Sequence, residues 1–168
     1  EAPDYYRRFV DPIDVVCIRT APMDEHGFFN FSGAVTYHKA MVERAKVVVV
    51  ETSPAMPYVF GGEESVHASE VDFVIDGGDE APAELANPPA TDVDRKVAAL
   101  IAGEVEDGAC LQIGVGGMPN AVCTLLKEAG IRDLGIHTEM LVDGMIDLIE
   151  AGLVTGARKT LNRFQTVF

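Results

Sequence analysis

The stretch LQIGVGGMPNAV, from Leu111 to Val122, has the pattern of a strand, a glycine loop and a helix. Pro119 suits the first turn of that helix, because its missing N–H would have no hydrogen-bond partner there. Glycines let a backbone approach a ligand closely, and the free N–H groups at a helix start can hold an anion. Two interpretations remain open for this stretch: an anion or oxyanion site, and a tight turn that binds nothing.

Two familiar phosphate-binding loops fit this stretch poorly. The dinucleotide-binding fingerprint requires a third glycine where this chain has Pro119. The phosphate-binding loop of nucleoside triphosphatases requires Gly-Lys-Ser or Gly-Lys-Thr, and that sequence is missing here. The loop must therefore be interpreted together with the segments that surround it.

Short β-branched runs alternate with helical patterns on both sides of the loop. Strands are predicted at residues 15–18, 47–50, 73–75 and 111–113, and helices at residues 36–44, 93–102, 119–129 and 143–150. Thr91 or Asp92 would cap the second helix, and Gly130 would close the third. Continuous apolar runs suggest strands that are covered on both faces. The predicted fold class is α/β, a mostly parallel sheet with flanking helices.

A proline-containing segment divides the chain. Residues 82–89 contain three prolines and no apolar periodicity, so residues 82–91 are predicted to be a linker. It would separate a first unit, residues 1–81, from a second unit, residues 92–168. Hydrophobic residues make up 48% and charged residues 24% of the 168 residues, which excludes a disordered or fibrous chain.

The charge and the cysteines narrow the partners and the compartment. A formal net charge of -14 repels the phosphates of nucleic acids and of anionic lipids, so neither is an expected partner. No apolar run reaches the roughly 18 residues that a membrane span needs. The three cysteines, Cys17, Cys110 and Cys123, lie among apolar neighbours without metal-ligand spacing, so buried thiols and no metal are expected. An odd cysteine count fits a reducing, cytoplasmic location.

Glu139 lies in a second strand-like piece, LGIHTEM, that follows the loop by one helix. Loops that follow parallel strands leave at the same edge of a sheet, so Glu139 could lie beside the glycine loop. A carboxylate that faces backbone donors can form a covalent bond to an acyl group. From spacing alone, a solvated or helix-capping glutamate remains an open alternative. The His137–Glu139 spacing is that of zinc deaminases, but their downstream PCxxC is missing.

These residues resemble a known family. GVGGMPNAV at 114–122 and DLGIHTEM at 133–140 resemble motifs of the acetyl-CoA hydrolase/transferase family, and within it the 4-hydroxybutyrate and butyryl-CoA:acetate CoA-transferases. PMDEHGFF at 22–29, DGACLQ at 107–112 and GARK at 156–159 also agree with that family. Family members extend beyond both ends, so the resemblance implies an internal fragment with parts of two CoA-transferase-like domains.

The resemblance implies a reaction and a site. Glu139 would be the nucleophile that carries CoA, as a thioester, between a short-chain acyl-CoA and a carboxylate such as acetate. The residues expected to bind coenzyme A, which is a substrate here, are Gly114, Gly116, Gly117, Met118, Pro119 and Asn120. A homo-oligomer is also implied. An acyl-CoA hydrolase and a non-catalytic CoA-binding fragment remain alternatives.

One basic cluster invites two interpretations. Arg158, Lys159 and Arg163 are the densest group of cations in the chain. They could neutralise the phosphates of CoA or the acceptor carboxylate. A solvated surface cluster is the default for such a run.

Overall fold

The computed structural model describes residues 2–168. The chain divides into two compact units, with the boundary between Glu84 and Leu85. That boundary lies within the proline-containing segment, of which residues 82–91 carry no regular secondary structure up to the start of the next helix at Asp92. Each unit is described by itself below.

The first unit contains a three-stranded parallel sheet. Its elements are α1 (Ala2–Phe9), β1 (Ile13–Thr20), β2 (Phe28–Asn30), α2 (His38–Arg44), β3 (Ala45–Thr52), β4 (Ser65–His67) and β5 (Phe73–Asp76). The parallel strands have the order β1-β3-β5, and β2 and β4 form a separate antiparallel pair. The strands predicted at residues 15–18, 47–50 and 73–75 are confirmed. Helix α2 begins two residues later than predicted.

Within the described part of the first unit, only one face of this parallel sheet is packed. Val16, Ile18, Val48 and Val50 point to that face and form a buried cluster with apolar residues of β2, β4 and α2. On β5, all three apolar residues at positions 73–75 are about half exposed or more, at 49–60%. Within the first unit the prediction that these strands are covered on both faces is therefore wrong, because an apolar run indicates hydrophobicity and does not indicate what packs against it.

The second unit surrounds a short parallel pair of strands. Its elements are α3 (Asp92–Ala102), β6 (Cys110–Leu111), α4 (Gly117–Ala129), β7 (Gly135–Ile136) and α5 (Asp143–Glu150). The helices bury a core around Leu126, Ile136, Met145 and Leu148, each at most 1% exposed. Within residues 2–168, no helix combines the length and the hydrophobicity that a membrane crossing requires.

Local sequence signals correctly predicted the start of α3 and the end of α4. The Thr91 hydroxyl accepts the Asp94 N–H at 3.1 Å, and the Asp94 carboxylate accepts the Thr91 N–H at 2.8 Å, so α3 starts with a capping box. Hydrogen bonds from Thr91 hold the pKa of Asp94 below its ordinary value. Gly130, at φ +67°, closes α4 in the left-handed conformation, as predicted.

Two boundaries next to the glycine loop differ from the sequence prediction. Helix α4 begins at Gly117, so Pro119 is its third residue. Proline is still tolerated there because the N–H groups of the first turn have no intrahelical acceptor. Strand β6 ends at Leu111, although the prediction extended it to Ile113.

The cysteines are not uniformly buried. Cys17 and Cys110 are exposed, whereas Cys123 is 1% exposed in the core of the second unit. The expectation of three buried thiols is therefore wrong for two of them. Cys17 lies on β1 between Val16 and Ile18, so strand alternation points it away from the packed face of its sheet.

We expect thiol labelling of the 168-residue chain to separate these cysteines. Burial raises the pKa of the Cys123 thiol to about 11, so little thiolate is present at pH 8 and access is closed. Cys17 and Cys110 should react with iodoacetamide at pH 8, and Cys123 only after unfolding. Peptide mass mapping after alkylation, with and without denaturant, measures this. Equal labelling of all three cysteines in the native protein would contradict the described core.

Candidate active site

The carboxyl edge of the β6–β7 pair brings the two sequence motifs together. The strands are parallel, with Cys110 beside Gly135 and Leu111 beside Ile136. The His137 N–H donates to the Leu111 carbonyl at 3.0 Å, which continues the same register. The glycine loop and the segment that contains Glu139 therefore leave the sheet at one edge, as predicted from parallel topology.

Thr138 links the ends of these two strands. It is 8% exposed, and its hydroxyl accepts the Ile113 N–H at 3.4 Å. The hydroxyl lies 3.2 Å from the carbonyl oxygens of both Ile113 and Met140, and its one hydrogen can be donated to either. A side chain thus replaces the main-chain partner of Ile113, which explains why β6 is shorter than predicted. Gly114 and Glu139 each follow a residue of this linked pair.

The Glu139 side chain is open to solvent. Glu139 is exposed, and it lies in a bend directly after buried Thr138. Among residues 2–168, no hydrogen bond or ion pair engages its carboxylate. Exposure alone fits a solvated glutamate as well as a nucleophile, so its position beside the glycine loop carries the argument for chemistry.

The start of the glycine loop is also open. A Cβ added at Gly114 would meet no atom within 4 Å, so this backbone borders free space. Gly116 has φ +137°, a conformation that side chains disfavour, and it precedes α4 without any side-chain cap. The first main-chain hydrogen bond of α4 is donated by the Asn120 N–H to the Gly116 carbonyl at 3.2 Å. The N–H groups of Gly117 and Met118 have no intrahelical acceptor and are available as anion donors.

Two of the residues predicted to bind coenzyme A have packing roles. A Cβ at Gly117 would lie 3.1 Å from the Pro88 carbonyl oxygen and 3.2 Å from the Ala90 Cα, so the glycine admits the segment 88–90. The Met118 side chain packs against the core cluster of the second unit. Contact of these two residues with a ligand would therefore be made by their backbone.

The Asn120 side chain is engaged within the protein. Its Oδ1 accepts the Gly144 N–H at 3.2 Å, and its Nδ2 donates to Asn87 Oδ1. Asn87 in turn donates to the Asp143 carboxylate at 2.9 Å. This chain of polar groups ties the start of α4 to the start of α5. The sequence alone offered no signal for it, because Asn87 is 33 positions from Asn120.

The three cations of the basic cluster make different contacts. Arg158 pairs with Asp133 at 3.2 Å at the surface, and Arg163 donates to the Ala157 carbonyl at 3.1 Å. Lys159 is 6% exposed, and its Nζ donates to two main-chain carbonyl oxygens. For Lys159 both sequence interpretations are therefore wrong, since it is neither solvated nor free to meet a ligand anion.

A groove in the second unit is separate from Glu139. It has a volume of about 590 Å³ and is bordered by α3, α4, α5 and the segment 87–90. Gly117 and Asn120 line it, but Glu139 does not. This groove and the exposed Glu139 carboxylate therefore lie in different places, and the strand register, which brings Glu139 to the glycine loop, favours the carboxylate as the reactive group.

Comparison with known proteins identifies the family. The family model of the acetyl-CoA hydrolase/transferase N-terminal domain matches residues 4–84. Butyryl-CoA:acetate CoA-transferase of Anaerostipes caccae is 49% identical over an alignment that spans the whole chain. This chain belongs to the acetyl-CoA hydrolase/transferase family. The family resemblance seen in the motifs is thereby confirmed.

Solved structures agree with this family assignment. RipA from Yersinia pestis matches 99% of the chain with a TM-score of 0.93 and 39% identity. The 4-hydroxybutyrate CoA-transferase from Porphyromonas gingivalis matches 98% with a TM-score of 0.88 and 36% identity. The chain spans about 38% of the length of the Anaerostipes transferase, 38% of RipA and 41% of the Porphyromonas enzyme.

Proposed function

We propose that this segment carries the nucleophile of a CoA-transferase, and that the nucleophile is Glu139. One observation carries the proposal: the Thr138 hydroxyl binds Ile113, so that the exposed Glu139 and the open Gly114 leave one sheet edge side by side. The CoA-transferases among the relatives support the same reaction class.

The first step transfers an acyl group to Glu139. A carboxylate oxygen of Glu139 attacks the thioester carbonyl, the C–S bond breaks, and CoA leaves as a thiolate. The product is a mixed anhydride between the acyl group and Glu139. The N–H groups of the Gly114–Met118 backbone would stabilise the tetrahedral oxyanion, and one donor of this kind is typically worth about 3 kcal/mol.

The second step forms the enzyme-bound thioester. The CoA thiolate attacks the glutamyl carbonyl of the anhydride, and the original acid leaves as a carboxylate. An incoming carboxylate then reverses both steps, and a new acyl-CoA departs. No net proton is exchanged, because one carboxylate leaves and another enters. Contacts to the distant nucleotide of CoA can supply the energy that distorts the reacting thioester.

The proposal extends to the substrates and to the organisation of the protein. The substrates would be 4-hydroxybutyryl-, butyryl- or acetyl-CoA and an acceptor such as acetate. Residues 1–81 would be the last part of a first α/β domain and residues 92–168 the start of a second, joined by the linker at 82–91. The cytoplasmic location and the homo-oligomer that the resemblance implies belong to the same proposal.

Borohydride trapping tests the covalent step. The full-length protein is incubated with butyryl-CoA, reduced with borohydride, digested and analysed by mass spectrometry. We expect the Glu139 carboxyl to be reduced to an alcohol, because borohydride attacks the enzyme thioester and spares free carboxylates. If the protein is shown to turn over butyryl-CoA and the peptide that contains Glu139 is nevertheless unmodified, the assignment is contradicted.

Two alternatives make different predictions. In an acyl-CoA hydrolase, which the family description also names, water opens the glutamyl intermediate, so turnover would not depend on acetate. In a non-catalytic CoA-binding fragment, there would be no turnover to lose, and replacement of Glu139 would leave CoA binding intact. Rates with and without acetate, beside a CoA-binding measurement, separate these alternatives from a transferase.

A further inference from the structure

Lys159 is the buried lysine of the second unit, and the mechanism above gives it no task. Its side chain is enclosed, with 6% of the residue exposed. Within residues 2–168, no carboxylate lies within ion-pair distance of its Nζ. Burial of a lysine amino group without a carboxylate is costly unless hydrogen bonds compensate for the lost water. Such a lysine needs a structural or a functional reason.

The amino group of Lys159 connects two segments at one point. Its Nζ donates to the Ile136 carbonyl at 2.8 Å and to the Gln165 carbonyl at 2.7 Å. Ile136 is the last residue of β7, three positions before Glu139. Gln165 precedes a segment that runs beside the end of β7.

That neighbouring segment also holds the residue next to Glu139. The Val167 N–H donates to the Ile136 carbonyl at 3.2 Å, and the Thr138 N–H donates to the Val167 carbonyl at 2.9 Å. The Ile136 carbonyl therefore accepts from both Lys159 and Val167. Thr138 is held from two sides, by Val167 through its backbone and by Ile113 through its hydroxyl.

The stem of Lys159 reaches this point across Gly135. A Cβ at Gly135 would lie 2.6 Å from the Lys159 Cγ, closer than real Cβ atoms approach another atom, and 3.0 Å from its Cδ, which is also a tight contact. Gly135 has an ordinary, non-positive φ, so its backbone conformation does not require glycine. The space that the lysine stem occupies is what requires it.

We infer that Lys159 is a positioning residue for Glu139, which it serves by fastening the 165–167 segment to the end of β7. The inference rests on the proposed function, because it concerns the geometry of the same nucleophile. We call the two hydrogen bonds from the Lys159 amino group to the Ile136 and Gln165 carbonyls the Lys159 clamp. While the clamp is formed, the main chain on both sides of Thr138 is fixed, and Glu139 leaves the sheet in one direction. Without it, the Ile136 carbonyl keeps only the Val167 donor, and the carboxylate samples positions away from the thioester.

The test compares Lys159→Met with Lys127→Met in the full-length protein. Methionine fills a similar volume without an amino group, and Lys127 is a half-exposed lysine on α4 that serves as the matched control. The initial rate of forming the glutamyl-CoA adduct from butyryl-CoA is measured in single turnover. This rate is divided by the number of active sites that borohydride traps at the end of the reaction. The KM for butyryl-CoA and the Tm of each variant are also measured.

The inference predicts a specific pattern. Lys159→Met should lower the adduct rate per trapped site by about tenfold or more, since misplacement of a reacting group by about 1 Å can cost about 10²-fold. The KM of Lys159→Met for butyryl-CoA should stay unchanged. Lys127→Met should have the same adduct rate per trapped site as the unaltered protein. A full rate per trapped site in Lys159→Met, with only a lowered Tm or fewer active sites, would overturn the inference and mark the lysine as structural.

A second variant, at Gly135, disturbs the Lys159 clamp without removing the amino group. Gly135→Ala keeps the amino group of Lys159 but displaces the lysine stem, so we expect it to lower the adduct rate per trapped site as well. It therefore tests the inference even if Lys159→Met proves insoluble. An unaltered rate in Gly135→Ala would overturn the inference if the crystal structure of that variant shows the Lys159 amino group beyond hydrogen-bond distance of the Ile136 carbonyl. Failure of the proposed function is distinguishable, because then either the unaltered protein would form no adduct or Glu139→Gln would still form it.

Discussion

Glu139→Gln is expected to lower the kcat of CoA transfer by roughly 10³-fold or more, the scale on which enzymes lose activity when a covalent nucleophile is removed. The amide that replaces the carboxylate keeps the size of the side chain but is a far weaker nucleophile. Glu139 is exposed and engages no partner within residues 2–168, so its replacement should leave the fold intact. Steady-state transfer from butyryl-CoA to acetate, measured on the full-length protein, gives the result.

Two further variants make this test specific. Glu150→Gln applies the same chemical change to an exposed glutamate at the end of α5 and should leave kcat unchanged. Glu139→Asp keeps the carboxylate but withdraws it by one methylene, so an intermediate loss of about 10²-fold is expected. Equal activity of Glu139→Gln and Glu150→Gln would remove Glu139 from the mechanism.

Leu126→Ala should strongly lower the free energy of unfolding of the second unit. Leu126 is 0% exposed on α4, and its side chain belongs to the core cluster that α4 forms with β7 and α5. The removal of buried methylene and methyl groups, with a cavity left behind, typically costs about 2–5 kcal/mol. Urea unfolding of the 168-residue chain, followed by circular dichroism, should show an earlier transition.

Leu100→Ala is the matched control for this loss. Leu100 lies on α3 and is 74% exposed, so the same truncation removes little buried surface. Its effect should stay within about 0.5 kcal/mol, as is usual for surface substitutions. Equal shifts for the two leucines would mean that the second unit does not pack as described.

The helices were predictable where the signal for their ends is local. Helix α5 spans residues 143–150, the predicted range, and Gly130 ends α4 because a left-handed residue there is best provided by glycine. The start of α3 follows from the Thr91 capping box. Each of these signals acts over a few residues, so the sequence displays it directly.

The elements that were missed depend on distant partners. Strands β2 and β4 pair across more than thirty residues, and each has three residues, too few to show an alternating pattern. Helix α1 is short and amphipathic and has no buried residue. The exposure of Cys17 likewise depends on what covers its sheet, which the strand sequence does not encode.

For the candidate site, the sequence by itself determined the chemistry that is available. It identified a carboxylate after one strand, a glycine loop after another and, through their order, the family that the comparisons confirm. It could not distinguish a surface glutamate from a reactive one, because residue type and spacing do not reveal which side chains meet.

The tertiary structure decided which residues meet. The parallel register of β6 and β7 joins Thr138 to Ile113, and Glu139 lies beside the glycine loop for that reason. The same packing buried Lys159 over Gly135, although the sequence shows a basic cluster there. Register and burial are set by contacts between residues far apart in the chain, and such contacts exist only once the chain is folded.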